Sequence, residues 1–231
     1  MKRIKNLKSS DGFTIIELLI ATAVLSIVLV MITVIMISIG NLYYKGLNQA
    51  RIQDNTRAVS DDISQHLKLG DNFFQVTNGS AGAYCVGSTR YTYVLYRQID
   101  DSPSANQTRH VLWRDANPTP GSCPAVLLNL MASTPSAGGT ELIGPHSRLT
   151  AFSITGTSTY AVKVGEAYGD DDLLCDIGYP GDCTFQGVSA HMNQIIAGST
   201  NPTSDLRCKG SVGDQFCATS ILNTTAVRRL P

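Results

Sequence analysis

The sequence predicts an α+β protein in which one long N-terminal helix packs on an antiparallel β-sheet and disulfide bonds close several loops. Two observations predict the helix and the sheet. Residues 13–39 form an apolar run of 27 residues, and an amphipathic segment follows it as far as Gly70. Short segments rich in aromatic and β-branched residues then alternate with loops, and no long helical pattern separates them. Local strand pairing without long crossovers favours an antiparallel sheet.

The apolar run is long enough to cross a membrane. A helix of this length rises about 40 Å at about 1.5 Å per residue, which exceeds the thickness of the hydrocarbon core. Its only formal charge is Glu17. A carboxylate in hydrocarbon costs about 2.5 to 3.5 kcal/mol on insertion scales and usually marks a function. The pattern alone therefore indicates a membrane anchor with an unexplained acid near its start.

The segment before this run orients the chain. Residues 1–12 contain four cations and one acid, and a basic flank holds the N-terminus of a membrane helix in the cytoplasm. A cleaved secretory signal has an apolar core of about 7 to 15 residues that ends in small residues. The run in this chain is longer and has no such end. We expect one membrane crossing with the rest of the chain outside the cytoplasm.

Four apolar residues after the membrane run share one face of a helix. Ile52, Val59, Ile63 and Leu67 are spaced by seven, four and four residues, which is a helical period. Gly70 is a typical residue at the end of a helix. We therefore predict a transmembrane half of the helix at 13–39, an amphipathic half at 40–70 and an extracytoplasmic β-rich domain at 71–231.

The strand predictions rest on composition. Five segments are rich in β-branched and aromatic residues, and the segments between them are dense in Ser, Pro, Gly, Asn and Thr. The predicted strands are residues 90–97, 110–114, 149–154, 160–164 and 221–229.

The junction between the leader and the apolar run carries a specific motif. The stretch Gly12-Phe13-Thr14-Ile15-Ile16-Glu17 resembles the prepilin leader and N-terminus of type IV pilins and type II secretion pseudopilins. The resemblance implies that residues 1–12 are a leader, that a prepilin peptidase cuts after Gly12, and that the same enzyme methylates Phe13. It also implies that Glu17 meets the free amine of a neighbouring subunit. An ion pair of this kind would offset the cost of burying either charge alone.

The order of segments after the helix resembles that of PilW-like and GspJ-like minor subunits. The similarity implies a minor pilin that enters a type IV pilus-like filament or primes its assembly, in support of motility, adhesion or DNA uptake. A minor pseudopilin of a type II secretion system and a membrane-anchored adhesin that never polymerises remain alternatives. The segments that carry the similarity are residues 90–97, 112–114, 148–152 and 224–229.

The resemblance also implies the partners and the location. The partners are the prepilin peptidase, other pilin subunits along the N-terminal helix, and the inner membrane before assembly. The chain is expected to be a single-pass inner-membrane protein first and then part of a surface pilus or of a pseudopilus that faces the periplasm. No small-molecule substrate and no cofactor are expected.

Six cysteines predict disulfides. An even number of cysteines in an exported domain is typical of disulfide bonds, and six cysteines allow about 15 pairings. We favour near neighbours because closing a short loop costs less chain entropy. In the chain-entropy model, a disulfide that closes one such loop stabilises the fold by about 2 to 3 kcal/mol. The resemblance adds that Cys208 with Cys217, the pair nearest the C-terminus, matches the disulfide-bounded loop of type IV pilins. The favoured pairs are Cys85 with Cys123, Cys175 with Cys183, and Cys208 with Cys217.

Charge and motif content give little support to other functions. The whole chain has 18 basic and 18 acidic side chains, so without residues 1–12 it has 14 and 17. This balance gives no electrostatic argument for nucleic-acid binding, and that partner stays open. No Cys-x-x-Cys pair and no zinc-finger histidine spacing are present, so we expect no metal site. A cluster of acidic residues is interpreted as a solvated turn rather than a calcium loop: Glu166, Asp170, Asp171, Asp172 and Asp176.

No motif of an enzyme is complete. Residues 187–191 imitate part of the Gly-x-Ser-x-Gly turn that presents a catalytic serine, but the second glycine is missing and His191 stands there. The four histidines are scattered along the chain, and we expect no catalytic residue. The sequence therefore favours an assembly subunit over an enzyme.

Overall fold

The computed structural model describes residues 12–78, 80–100, 107–119, 121–123, 139–179, 181–210 and 213–229. The predicted leader up to residue 11 lies outside the described residues. The chain divides into two compact units, residues 1–43 and residues 44–231. Helix α1, Ile15–Leu69, begins in the first unit and ends in the second.

Among the described residues, one further α-helix, twelve strands and two short 3₁₀ helices, Asp171–Leu173 and Asp214–Phe216, complete the regular structure. Helix α2 is Ala190–Ile196. The first six strands are β1 Phe73–Asn78, β2 Ala81–Val86, β3 Thr89–Val94, β4 Gln98–Ile99, β5 Gln107–Thr108 and β6 Leu112–Ala116. The other six are β7 Thr140–Glu141, β8 Ser147–Gly156, β9 Thr159–Tyr168, β10 Leu174–Asp176, β11 Leu206–Cys208 and β12 Ala218–Val227.

The strands form two five-stranded sheets and one two-stranded ribbon. Sheet A has the strand order β1-β2-β3-β6-β7, sheet B has the order β12-β9-β8-β4-β5, and β10 pairs with β11. Every described pairing is antiparallel except the short parallel pair β4–β5. The predicted α+β class with a long helix on antiparallel strands is confirmed. The described strands divide between two sheets rather than forming one.

The core explains how the helix packs on the sheets. Ile52, Val59, Ile63 and Leu67 are all buried, so the predicted apolar face of α1 is confirmed. The main apolar cluster joins three of them to side chains from both sheets, including Tyr91 of β3 and buried residues of β8 and β9. Burying apolar surface in this way stabilises the fold by about 25 cal/mol per Å². The amphipathic half of α1 is therefore part of the core of the second unit.

Polar contacts fix α1 on sheet A. The Tyr91 hydroxyl donates to Asp62 Oδ2 at 2.9 Å, and Arg114 forms an ion pair with the other oxygen of the same carboxylate. The burial of Tyr91 raises the pKa of its phenol, and the negative charge of Asp62 adds to this effect. The phenol therefore stays protonated and remains a donor. These directional contacts set the position of α1 along the sheet.

A long excursion leaves sheet B and returns to the same place. Tyr168 at the end of β9 pairs with Ala218 at the start of β12, so residues 169–217 begin and end on neighbouring strands. This segment, called the excursion below, contains β10, α2 and β11. Its residues Leu174, Met192 and Ile195 belong to a second, smaller apolar cluster, which Tyr96 and Ala167 from outside the excursion complete. The excursion therefore contributes to a second packed centre beside the main one.

Truncating the buried face of α1 should destabilise the second unit. Ile63 has no exposed surface, and Ile63→Ala leaves a cavity between α1 and the sheets. We expect the free energy of unfolding to fall by about 2 to 5 kcal/mol. Urea unfolding of the full chain in detergent micelles, followed by near-ultraviolet circular dichroism, measures the change.

The matched control is Asp61→Ala, since Asp61 is an exposed neighbour on the same helix. It should change the free energy of unfolding by no more than about 0.5 kcal/mol. Equal effects of the two substitutions would contradict the packing described above.

Candidate functional site

The start of α1 is organised by Thr14 and Glu17. Thr14 precedes the first helical residue, Ile15, and Glu17 is the third residue of the helix. The Thr14 amide and the Thr14 hydroxyl both donate to Glu17 Oε2, at 2.9 and 2.8 Å. The Glu17 amide donates back to Thr14 Oγ1 at 3.3 Å. This reciprocal pattern is a capping box, which satisfies amides that have no partner within the helix.

The capping box explains where the carboxylate lies. A negative charge in the first turn of a helix is favoured by the helix dipole. The bonds from Thr14 hold the Glu17 carboxylate at the N-terminal end of α1, close in sequence to the Gly12–Phe13 bond. The sequence analysis explained Glu17 only through a neighbouring subunit and missed this local partner. The Thr-x-x-Glu spacing was sufficient to find it.

The helix after this box has the properties of a membrane segment. Among the described residues, α1 contains a stretch long and apolar enough to cross a membrane. Its apolar side chains from Ile15 to Ile39 are exposed among the described residues. A helix that is apolar on all sides requires an apolar environment, either lipid or other helices.

Three disulfides clip the loops of the second unit. They join Cys85 to Cys123, Cys175 to Cys183, and Cys208 to Cys217. These are the near-neighbour pairs that the sequence analysis favoured. The last two start from neighbouring strands, since Cys175 lies on β10 and Cys208 on β11, where Cys208 is opposite Leu174. Two of the three disulfides therefore fasten the excursion.

The Cys175–Cys183 loop is held by one buried carboxylate. Asp176 Oδ2 accepts bonds from the amide and hydroxyl of Thr203 at 2.5 and 2.9 Å. Its Oδ1 accepts from the Gly178 amide and from the amide and hydroxyl of Ser204. Burial opposes ionisation of Asp176, but these bonds outweigh it and lower the pKa of the carboxyl. The carboxylate charge is therefore used to order the loop.

A second buried carboxylate orders the far end of the same loop. The Ser189 hydroxyl donates to Asp182 Oδ1 at 2.7 Å, and His191 Nδ1 lies 2.8 Å from Asp182 Oδ2. Ser189 also caps α2 by accepting a bond from the Met192 amide. The serine hydroxyl thus points at the carboxylate and not at the imidazole, whereas a hydrolytic triad needs a serine–histidine bond. The residues that imitated a catalytic turn act as a helix cap.

The excursion presents apolar side chains to solvent. Tyr179 stacks on His191 with ring centroids 3.9 Å apart, so its ring is held in place. An ordered aromatic side chain binds a partner with little loss of entropy. Large apolar side chains of the excursion that remain exposed are Ile177 at 47%, Tyr179 at 47%, Phe185 at 53% and Phe216 at 53%.

The excursion is also acidic. It contains seven acidic and two basic side chains. Three of the acids form ion pairs with cations outside it: Asp171 with Arg148, Asp205 with Lys163, and Asp214 with Lys45. The first is the most buried, because Arg148 has no exposed surface and also donates to the Gly169 carbonyl at 2.9 Å. These pairs attach the excursion to β8, β9 and α1.

The expectation of one solvated acidic turn is wrong for two of its five residues. Glu166 and Asp176 are fully buried on β9 and β10, and Asp171 is engaged by Arg148. The sequence grouped residues that are adjacent in the chain, but the alternation of a strand turned Glu166 toward the core. Among the described residues, no group of three or more His, Cys, Asp or Glu side chains is placed to hold a metal ion.

The fold and the site define a class of protein in which a membrane-length helix carries a disulfide-bonded globular unit. The chain has a membrane-length apolar helix, a carboxylate fixed at the beginning of that helix, and a disulfide-bonded unit of helix and antiparallel sheets.

The N-terminal segment of the chain matches a known family. Residues 7–39 match the family described as the prokaryotic N-terminal methylation motif, the signal of type IV pilin-like prepilins. The match covers 33 of the 231 residues, and it supports a relation to type IV pilins and pseudopilins. It indicates processing by prepilin peptidase and assembly with other pilins. No curated protein and no solved structure matches the chain.

Removing the Asp176 carboxylate should loosen the Cys175–Cys183 loop. Asp176→Ala leaves the amides of Thr203 and Ser204 without this acceptor, and we expect the free energy of unfolding to fall by about 1 to 3 kcal/mol. The wild-type advantage should be present above pH 4 and disappear as the pH falls through the lowered pKa of Asp176.

Urea unfolding at pH 7 and at pH 3 measures both effects on the full chain in micelles. Asp172→Ala is the control, because Asp172 is an exposed acid four residues earlier. If Asp176→Ala and Asp172→Ala were equally stable at pH 7, the carboxylate would not be ordering this loop.

Proposed function

We propose that this protein is a minor subunit of a type IV pilus-like filament. A prepilin peptidase removes residues 1–12 by cutting after Gly12 and methylates the new N-terminal residue, Phe13. Residues 13–39 span the inner membrane once, with the N-terminus on the cytoplasmic side, until the subunit is extracted. The subunit then enters the filament or primes its assembly.

The observation that carries this proposal is the methylation motif together with the capping box at Glu17. Cutting after Gly12 creates an amine at the head of a helix that otherwise contains no cation between Phe13 and Ile39. A carboxylate already held there by Thr14 is in place to accept the amine of an adjacent subunit. Pairing the two charges removes most of the cost of placing each of them in an apolar bundle.

The excursion supports a specialised rather than a repetitive role. It adds 49 residues that begin and end on paired strands, and it displays ordered apolar side chains in an acidic setting. Exposed aromatic anchors on a rigid loop are typical of surfaces that bind another protein. We propose that the excursion faces outward in the assembled filament and serves motility, adhesion or DNA uptake there.

Two other assignments share parts of this description. A minor pseudopilin of a type II secretion system would carry the same N-terminus, and loss of the protein would then block secretion rather than filament-dependent motility. A membrane-anchored adhesin that never polymerises would keep its leader and would not need Glu17.

Neutralising Glu17 should prevent incorporation without preventing processing. For Glu17→Gln, we expect the chain to be cut after Gly12 but its amount in sheared filaments to fall at least tenfold, since one buried amine then lacks a charged partner, a loss of about 1.4 kcal/mol or more. Quantitative immunoblots of filaments and mass spectrometry of the membrane fraction measure the two results.

Asp61→Asn is the matched control, because it neutralises an exposed acid on the same helix. Its incorporation should equal that of the wild type. Wild-type incorporation of the Glu17→Gln chain would refute the pairing of Glu17 with a neighbouring amine.

Thr14 should act through Glu17. Thr14→Val keeps the shape of the side chain but removes the hydroxyl that both donates to and accepts from Glu17. Loss of a cap costs about 1 kcal/mol, which corresponds to about a fivefold change in an equilibrium. We expect incorporation to fall by that order while Thr14→Ser stays close to the wild type. In the Glu17→Gln background, Thr14→Val should add little, and independent effects would show that Thr14 does not position the carboxylate.

A further inference from the structure

One buried acid is not explained by the proposed function. Glu166 has no exposed surface and lies on the core side of β9, in line with the buried residues Val162 and Val164. The neighbouring strands place Leu149 of β8 and Ser220 of β12 opposite it. An ionised carboxylate in such surroundings is costly unless a cation or several donors compensate it.

The partner of this acid is a neutral side chain on α1. Asn55 Nδ2 donates to both carboxylate oxygens of Glu166, at 2.7 and 2.9 Å. The negative charge of Glu141 on β7 also contributes to the raised pKa of Glu166, and the Glu141 carboxylate lies 3.5 Å from His110 Nδ1. A second acid disfavours ionisation of the first. The nearest acids and bases of α1 around Asn55, which are Arg51, Asp54 and Arg57, are exposed.

Burial of Glu166 raises the pKa of its carboxyl from 4.5 to about 7, the bond from Asn55 opposes this, and the charge of Glu141 adds to it. A carboxyl that becomes exposed when the segment of α1 around Asn55 moves away from β9 would return toward its ordinary pKa. The docked form then binds more protons than the open form. Docking is therefore favoured at acidic pH and weakens as the pH rises through 7.

Two further described hydrogen bonds between α1 and sheet B join groups that carry no charge in this pH range. Gln49 Nε2 donates to the Thr219 carbonyl at 3.0 Å, and the hydroxyls of Ser60 and Thr224 are 2.8 Å apart. Asn55 lies between Gln49 and Ser60 along the helix. A change in the charge of Glu166 would thus act on the middle of an interface whose two ends remain bonded.

From this geometry we propose that the Asn55–Glu166 contact is a pH-sensitive latch, which holds the amphipathic half of α1 on sheet B when the carboxyl is neutral and loosens that half when the carboxyl is ionised. The latch lies outside the cytoplasm in the proposed topology, where the pH follows that of the surroundings. It would tune how firmly the β-sheet unit is held on its own helix. The latch is independent of the pairing between Glu17 and a neighbouring amine.

Hydrogen exchange tests the latch on the full chain in detergent micelles. The peptide that covers residues 50–60 is followed by mass spectrometry between pH 5.5 and pH 8, with rates corrected for the intrinsic effect of pH. We expect the opening equilibrium of this segment to increase on the order of tenfold over that range in the wild type. In Glu166→Gln it should be nearly independent of pH, and in the control Asp61→Asn it should follow the wild type.

A second measurement needs no substitution of Glu166. The chain contains three glutamates, Glu17, Glu141 and Glu166, so ¹³C labelling of glutamate carboxyls gives three signals, which Glu17→Gln and Glu141→Gln assign. We expect the Glu166 signal to titrate with a midpoint above pH 6. A midpoint below pH 6, exchange that does not depend on pH in the wild type, or the same dependence in a folded Glu166→Gln chain would each overturn the latch.

Discussion

A single helix has to satisfy two different environments, and the rest of the structure depends on how it does so. Residues 13–39 are apolar on every side and require a solvent of hydrocarbon or other helices. From Ile52 onward the same helix is apolar on one face only, and that face is buried against the sheets. The change of pattern within α1 separates a part that meets lipid or other helices from a part that belongs to a folded unit.

Charge placement follows from this division. In the first part the one carboxylate, Glu17, is held by Thr14 at the very start of the helix, where the dipole favours it. In the second part acids occur on both faces, and Asp62 is used to fix the helix on sheet A through Tyr91 and Arg114. The excursion shows the same use of charge. The buried carboxylates of Asp176 and Asp182 are each hydrogen-bonded by more than one side chain, and they thereby order the loop between Cys175 and Cys183.

Much of the fold could be predicted from the sequence. The buried stripe of α1, its end at Gly70 and the strands around Tyr91, Phe152 and Val162 follow from periodicity and composition, which are local properties. Strands β1 and β2 were missed because Gly and Ala weaken the strand signal of β2 and because β1 lies directly after a helix end. The division into two sheets and the return of the excursion to β12 depend on pairing between distant residues, which one sequence does not reveal.

The candidate site was predictable in part. The methylation motif could be recognised because its residues are contiguous in the sequence. The capping box of Thr14 and Glu17 lies within the same residues, but the sequence analysis missed it. The burial of Glu166 could not be predicted from its neighbours Asp170 to Asp172, since it depends on which face of β9 meets α1.

The measurement that tests the central claim most directly is mass spectrometry of the N-terminus of the protein in purified filaments. A chain that begins with methylated Phe13 is the result predicted here, and a filament-bound or membrane-bound population that begins only at Met1 would contradict it.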